Sequence, residues 1–397
     1  MHAGISLSCP CCGEQFRQGE THCRAHEQPV VLELSYDHAA IRDRFEPGER
    51  SRPDIWRYRP LLPVTAEPVT LGEGWTDLVA APTTGSELGI DLSLKLEGGN
   101  PTGSSKDRAS AVLTTLATER GCDGVVCAST GNAAASIAAY AARGGLSCSL
   151  FVPERLPAAK AVQPRVYGAD LITVEGSYGD AYDACRSRGV EPGTVDRSAG
   201  TSPYVPAGSQ TLGFELAEQT DTPDWIAVSM GNGGTIADIW QGWRLFDRLG
   251  YIEGSPRLLG VQAESAAAIH EPGAPSDSGG TCADSIDVDN PYRRGDARQA
   301  IEESGGATVT VSDETILESL RSLGSDEGVF AEPASAATVA GVQRARAAEV
   351  IHAGEAVVAV ITGNGLKDTA TATESTQTSR FQQSSATKSG SQRPKRD

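Results

Sequence analysis

The chain has 397 residues, enough for two or more domains with real cores. Its 34 Lys and Arg against 52 Asp and Glu give a formal charge of -18, which argues against a nucleic-acid partner. No apolar run approaches the roughly 18 residues that a membrane span requires, and no signal-peptide pattern opens the chain, so no membrane partner is expected. The nine cysteines therefore read as thiols of a reducing, cytoplasmic compartment, not as a disulfide framework. The acidic excess suits a protein kept soluble in a high-salt cytoplasm; an acidic solvated surface at ordinary salt is the alternative.

Four of the cysteines and one histidine stand close together at the start. Cys9-Pro10-Cys11-Cys12-Gly13 and Cys23-Arg24-Ala25-His26 make a Cys-x-x-Cys and a Cys-x-x-His pair. That spacing suits tetrahedral zinc on Cys9, Cys12, Cys23 and His26, with Cys11 a bystander and Gly13 in a tight turn. So short a segment buries little apolar surface, and a structural metal would replace the missing core. Four protein ligands close such a site to catalysis. Residues 1–35 are expected as a zinc-ribbon-like segment, and 36–70, dotted with proline and arginine, as a connector packed along the main body.

Beyond it the strand-like run Leu92, Leu94, Leu96 stops at Gly98-Gly99, turns through Asn100-Pro101 and Gly103, and delivers Lys106 where Asp107 is placed to help open a helix. An amine at such a corner lies near backbone amides of partial positive charge, which disfavours its protonated form and suits Schiff-base chemistry. A solvated lysine at a helix start is the alternative. Helix-like and strand-like stretches then alternate: helix 108–119, strand 125–126, helix 133–142, strand 149–152, a helix-like 160–167 that Pro164 should kink or shorten, strand 171–174 and helix 179–187. A second set starts near Trp225 and runs to the strand 357–361. The alternation predicts an α/β fold with two parallel, three-layer sheets and a cleft between them. Three polar or glycine-rich loops follow predicted strands: Ser129-Thr130-Gly131-Asn132, Gly231-Asn232-Gly233-Gly234-Thr235 and Thr362-Gly363-Asn364. The middle one is a backbone cradle for a phosphate at a helix N-terminus. Asn132 and Asn232 read equally as helix caps, and the glycines as turns. Residues 371–397, rich in Ser, Thr and Gln, are expected as a disordered tail.

In this order, these stretches resemble the fold-type II family of pyridoxal-phosphate enzymes, and within it the threonine synthase branch, over roughly residues 50 to 370. Leu71-Gly72-Glu73-Gly74-Trp75-Thr76-Asp77-Leu78 is similar to a further family motif, with Asp77 where proline is usual. The resemblance implies a catalytic body at 71–370, with a mobile smaller lobe about 100–190. It implies pyridoxal 5'-phosphate on Lys106, the ring hydroxyl on Asn132, the cofactor phosphate on Gly231, Asn232, Gly233, Gly234 and Thr235, and the pyridine nitrogen facing Thr362. Ser129, Thr130 and Gly131 would receive the substrate carboxylate. The implied reaction is that of a carbon-oxygen lyase, converting O-phospho-L-homoserine and water to L-threonine and phosphate. The implied partner is a small amino-acid substrate, and a homodimer is compatible with it.

The chain departs from the family pattern where a second, substrate phosphate would bind. Ala199, Gly200, Val205 and Gln210 stand where asparagine, serine, arginine and lysine are usual, and Ser105 replaces a phenylalanine. Arg155, Lys160 and Arg165 are the candidates for replacement charge, a surface role being the default for each. These losses keep two other readings open: a serine/threonine dehydratase or β-replacement enzyme, and a non-catalytic cofactor-binding homologue.

Overall fold

Strands buried on both faces lack polar alternation, and Gly124–Ala128, Trp225–Ser229 and Ala356–Ile361 show this as continuous runs of small and branched apolar residues. They are central strands of two sheets in the computed structural model, which describes residues 2, 4–48, 52–156, 158–188, 193–271, 280–374 and 376. The smaller sheet is parallel, in the order Asp170–Val174, Ser147–Pro153, Gly124–Ala128, Thr194–Asp196. The larger has six strands, Ala307–Val311, Arg257–Ala263, Trp225–Ser229, Ala356–Ile361, Asp91–Leu96 and Leu78–Ala80, parallel but for the last. The expected α/β architecture of two parallel sheets is therefore observed.

The lysine corner is the crossing between them. Strand Asp91–Leu96 lies in the larger sheet, while helix Lys106–Glu119, which it feeds, packs on helix Asn132–Gly144 beside the smaller one. The helix starts at Lys106, two residues before the expected boundary, and Asp107 does not cap it. Its carboxylate instead accepts from Thr102 N at 2.7 Å and Thr102 Oγ1 at 2.6 Å, closing the preceding turn. Pro164 lies inside helix Ala158–Val166, which ends two residues later.

Two helices, Tyr204–Ser209 and Thr211–Gln219, fall in a stretch where no element was expected. Pro203, Pro206, Gly208 and Gly213 blur the helical period there. Both glycines permit close backbone approach, since an added Cβ would lie 2.4 Å from Arg108 O at Gly208 and 2.3 Å from Ile239 O at Gly213.

The N-terminal segment forms an antiparallel sheet of Gln15–Phe16, Ile5–Ser8 and Glu33–Tyr36, with a hairpin of His22–Cys23 and Val30–Val31. Leu7, Cys9, Cys23 and Leu32 share one core with Leu62, Leu116 and Tyr204, so the segment is packed against the body. The stretch after it contributes helix His38–Arg42 and the buried 3-10 turn Ile55–Leu61. At the other end, 369–374 and 376 are helical, against the disorder expected from 371; 375 and 377–397 lie outside the described residues.

Beneath the corner, four charged side chains are fully buried together. Arg108 engages Glu97 through Nη2 and Nε at 2.6 and 2.7 Å and Glu215 through Nη1 at 2.7 Å. Lys95 pairs with the other oxygen of Glu215 and donates to Thr76 O and Gln219 Oε1 at 2.6 and 2.7 Å. Glu215 also accepts from Trp75 N and Thr76 N at 2.8 and 2.7 Å. Burial raises the Glu215 carboxyl, but Arg108 and Lys95 outweigh it and hold the group at about 2, below the ordinary 4.5. A depressed folded-state value contributes stability at neutral pH that is lost as pH falls from about 4.5 toward 2. Arg108→Met strands two buried carboxylates and should lower the unfolding free energy by about 3–5 kcal/mol in urea at pH 7, with the deficit shrinking as pH falls through that window. A variant within about 1 kcal/mol of wild type would show the cluster to be dispensable.

Candidate active site

Loops at the carboxyl ends of both sheets enclose a cavity of about 420 Å³, as expected where ligands bind α/β proteins. Lys106, Ser129, Thr130, Gly131, Asn132, the loop Gly231–Thr235 and Thr362 all line it. Lys106 Nζ donates to Thr235 Oγ1 at 3.2 Å across the cavity. Burial first, and then the Arg197 guanidinium, lower the lysine's pKa against the opposing pull of Glu332, Asp238 and Glu97. Desolvation and a neighbouring cation thus both favour the neutral amine, at a lysine that stands at the start of its helix.

The glycine loop leaves strand Trp225–Ser229 and opens helix Gly234–Leu249. Gly233 has φ +85, and a Cβ there would lie 2.8 Å from Arg293 O; one at Gly231 would lie 2.7 Å from Ser285 O. The loop thus needs glycine to let the backbone pass, and its amides stand at a helix N-terminus. Neither asparagine caps a helix. Asn132 Nδ2 donates to both carboxylate oxygens of Glu332, at 3.1 and 2.9 Å, and Asn232 Oδ1 accepts from Tyr292 N at 3.3 Å. Burial, aided by Asp284, pushes the Glu332 carboxyl up to about 7 despite Asn132, Lys106 and Lys367. Thr362 Oγ1 lies 3.0 Å from Ser335 Oγ, and Thr362 O accepts from Ser105 N at 2.9 Å, joining this loop to the lysine corner. Ser129 Oγ accepts from Gly131 N at 3.3 Å, which tightens the turn into the following helix.

Ala199, Gly200 and Val205 also line the cavity; Gln210 does not, and its Nε2 donates to Tyr36 OH at 2.6 Å. Of the basic candidates only Lys160 reaches the lining, paired with Asp284, while Arg155 and Arg165 are exposed elsewhere. Sequence reasoning missed Arg197, Glu332, Arg293 and Asp238. Glu332 carried a usable signal, since a Glu-Pro step opens the alanine-rich helix Pro333–Ala347. Arg197 follows a three-residue strand, Thr194–Asp196, too short to stand out.

Away from the cavity, Cys9, Cys12, Cys23 and His26 converge, their ligand atoms all within 4.8 Å of one another. Cys9 Sγ lies 3.2 Å from His26 Nε2 and Cys12 Sγ 3.9 Å from Cys23 Sγ. Sulfurs on a tetrahedral zinc, at about 2.3 Å from the metal, are separated by about 3.8 Å, so the donor set fits that ion. Gly13, at φ +74, returns its N–H to Cys9 O at 2.9 Å and shapes the first knuckle.

The family described as "Pyridoxal-phosphate dependent enzyme" matches residues 69–363, the span that contains the cavity, and the chain belongs to it. Within that family it falls among the threonine synthases. The threonine synthase of Methanosarcina acetivorans is 36% identical over 91% of this chain and 92% of its own length. That of Methanocaldococcus jannaschii is 38% identical over 85% of this chain and 87% of its own. The structure of maize serine racemase, at 22% identity, superposes with a TM-score of 0.65 over 78% of this chain and 93% of that one, which shows the shared fold.

Proposed function

We propose that the chain converts O-phospho-L-homoserine and water to L-threonine and inorganic phosphate as a pyridoxal-phosphate-dependent lyase. The observation that carries this is the cavity in which a half-buried lysine faces a glycine-rich helix N-terminus, in a chain of threonine synthase kinship.

Pyridoxal phosphate, when bound, supplies an electron sink for bonds made and broken at the substrate's Cα and Cβ. The residues of this chain do the rest. The amides of Gly231 to Thr235 would receive the cofactor phosphate at the start of helix Gly234–Leu249, where the helix field favours an anion. Asn132, tethered by Glu332, would hold the ring oxygen, and the Thr362 hydroxyl would stand toward the ring nitrogen without the carboxylate that would keep a proton there. Lys106 is the residue that would hold the cofactor covalently, through its Nζ. With substrate bound, Nζ would take the proton from Cα and return protons along the carbon chain, a task suited to an amine of lowered pKa. The turn Ser129-Thr130-Gly131 positions the substrate carboxylate. The substrate loses its Cγ–O bond to phosphate and gains a hydroxyl from water at Cβ.

The uncharged Ala199, Gly200 and Val205 in the lining favour a second reading, a dehydratase acting on serine or threonine. The two are separated by supplying the holoenzyme with each substrate. Phosphate and threonine should form in equal amounts from O-phosphohomoserine, and Lys106→Ala should abolish both this turnover and the visible band of the bound cofactor. Keto acid from serine or threonine without phosphate release would establish the dehydratase instead.

We further propose that Cys9, Cys12, Cys23 and His26 hold a structural zinc, as their convergence supports. High-salt cytoplasm remains the setting that best fits a charge of -18, and among the described residues no helix is long and apolar enough to cross a membrane. Protein purified without chelator should carry about one zinc per chain by atomic absorption, and Cys23→Ser should lose the metal and melt at a lower temperature. A metal-free wild type of unchanged stability would rule the zinc out.

A further inference from the structure

Four basic side chains line the cavity: Lys106, Lys160, Arg197 and Arg293. Lys160 is paired with Asp284, Arg293 with Asp238 and Asp296, and Lys106 is the reactive amine. Arg197 is different. It is 4% exposed, its backbone N–H bonds Val126 O at 2.9 Å, and its Nε makes one long contact, 3.4 Å, to Ser110 Oγ. Among the described residues neither terminal nitrogen meets an acceptor and no carboxylate forms a salt bridge with it. A guanidinium stays charged in proteins, and Asp196 and Asp107 act on this one only through space; a buried fork with no carboxylate in contact is suited to an anion that arrives with a ligand.

Two anions of an amino-acid phosphate are available, the carboxylate and the phosphate. The carboxylate has the Ser129–Gly131 turn, and the cofactor's own phosphate has the glycine loop on the other sheet. A phosphate monoester carries nearly two negative charges and presents several oxygens to a planar fork. Ala199, Gly200 and Val205, which line the cavity just after Arg197, offer it no charge. We propose that Arg197 clasps the substrate phosphate and so sets the preference of this site for a phosphorylated amino acid. The proposal rests on the threonine synthase reading. It assigns the specificity to a residue on the exit of strand Thr194–Asp196.

The test compares wild-type, Arg197→Met and Arg197→Lys holoenzymes, each verified to retain the cofactor's visible band. Losing a charge-assisted contact should raise the Michaelis constant for O-phosphohomoserine and the inhibition constant for inorganic phosphate roughly ten- to a hundredfold; kcat should fall as well, because Arg197 also helps lower the Lys106 pKa, so the phosphate inhibition constant is the deciding readout. Arg197→Lys, which keeps the charge and loses the fork, should fall between. The spectral titration with L-2-aminobutyrate, which has a carboxylate and no phosphate, should weaken far less than the binding of phosphate does. Unaltered phosphate inhibition, or weakening of L-2-aminobutyrate in step with phosphate, would overturn the assignment. Should Arg197→Met not fold, phosphate-soaked crystals of wild-type holoenzyme decide: an anion on the guanidinium supports the proposal and its absence there refutes it. A wild type that binds phosphate at Arg197 yet releases none from O-phosphohomoserine would refute the threonine synthase reading while leaving the anion site standing.

Discussion

Arg108, held between Glu97 and Glu215 with no access to water, is the constraint on which the rest of the structure depends. It stands two residues beyond Lys106 on the same helix, and its partners lie at the end of strand Asp91–Leu96 and in helix Thr211–Gln219. Lys95 adds a second cation on Glu215, and the backbone of Trp75 and Thr76 adds two donors. Each of these charges is unfavourable in the interior unless the others are in place. The cluster therefore permits one arrangement of strand, corner and helix. The amine two residues away inherits that fixed position, which is what chemistry at a single carbon requires.

The same economy of charge shapes the cavity. Its cations are matched by Asp284, Asp238 and Asp296, leaving Lys106 with a lowered pKa and Arg197 with its fork open. A surface with formal charge -18 repels a phosphorylated amino acid at long range. At roughly 1 M salt that repulsion is screened beyond about 3 Å, whereas a cation inside the cavity acts at contact. An acidic exterior and an anionic substrate are compatible on these terms.

Much of the fold is legible in the chain because parallel strands buried on both faces announce themselves as unbroken apolar runs, and glycine or polar loops mark their carboxyl ends. The strand, glycine turn and lysine from 92 to 106 form one local sentence, as do the two knuckles at 9–12 and 23–26. What stayed hidden depends on distance along the chain. Glu215 meets Arg108 across 107 residues and Glu332 meets Asn132 across 200; Glu215 has no local sign of its role, and the Glu-Pro step at Glu332 marks a helix start without naming the partner. Helices Tyr204–Ser209 and Thr211–Gln219 were obscured because the glycines and prolines that blur their period are tolerated, and at Gly208 and Gly213 demanded, by tight packing. Arg197 has no local sign either: it follows a strand of only three residues, and its place in the cavity lining beside Ala199, Gly200 and Val205 emerges only in the fold.

The central claim is that this cavity breaks the Cγ–O bond of a phosphorylated amino acid and rebuilds a hydroxyl at Cβ from water. The fate of solvent oxygen tests it most directly. Holoenzyme turning over O-phosphohomoserine in water enriched in oxygen-18 should place the label on the Cβ hydroxyl of every new threonine and leave the released phosphate unlabelled. Label entering the phosphate, which signals cleavage at phosphorus, or an oxo acid formed in place of threonine, would contradict the account.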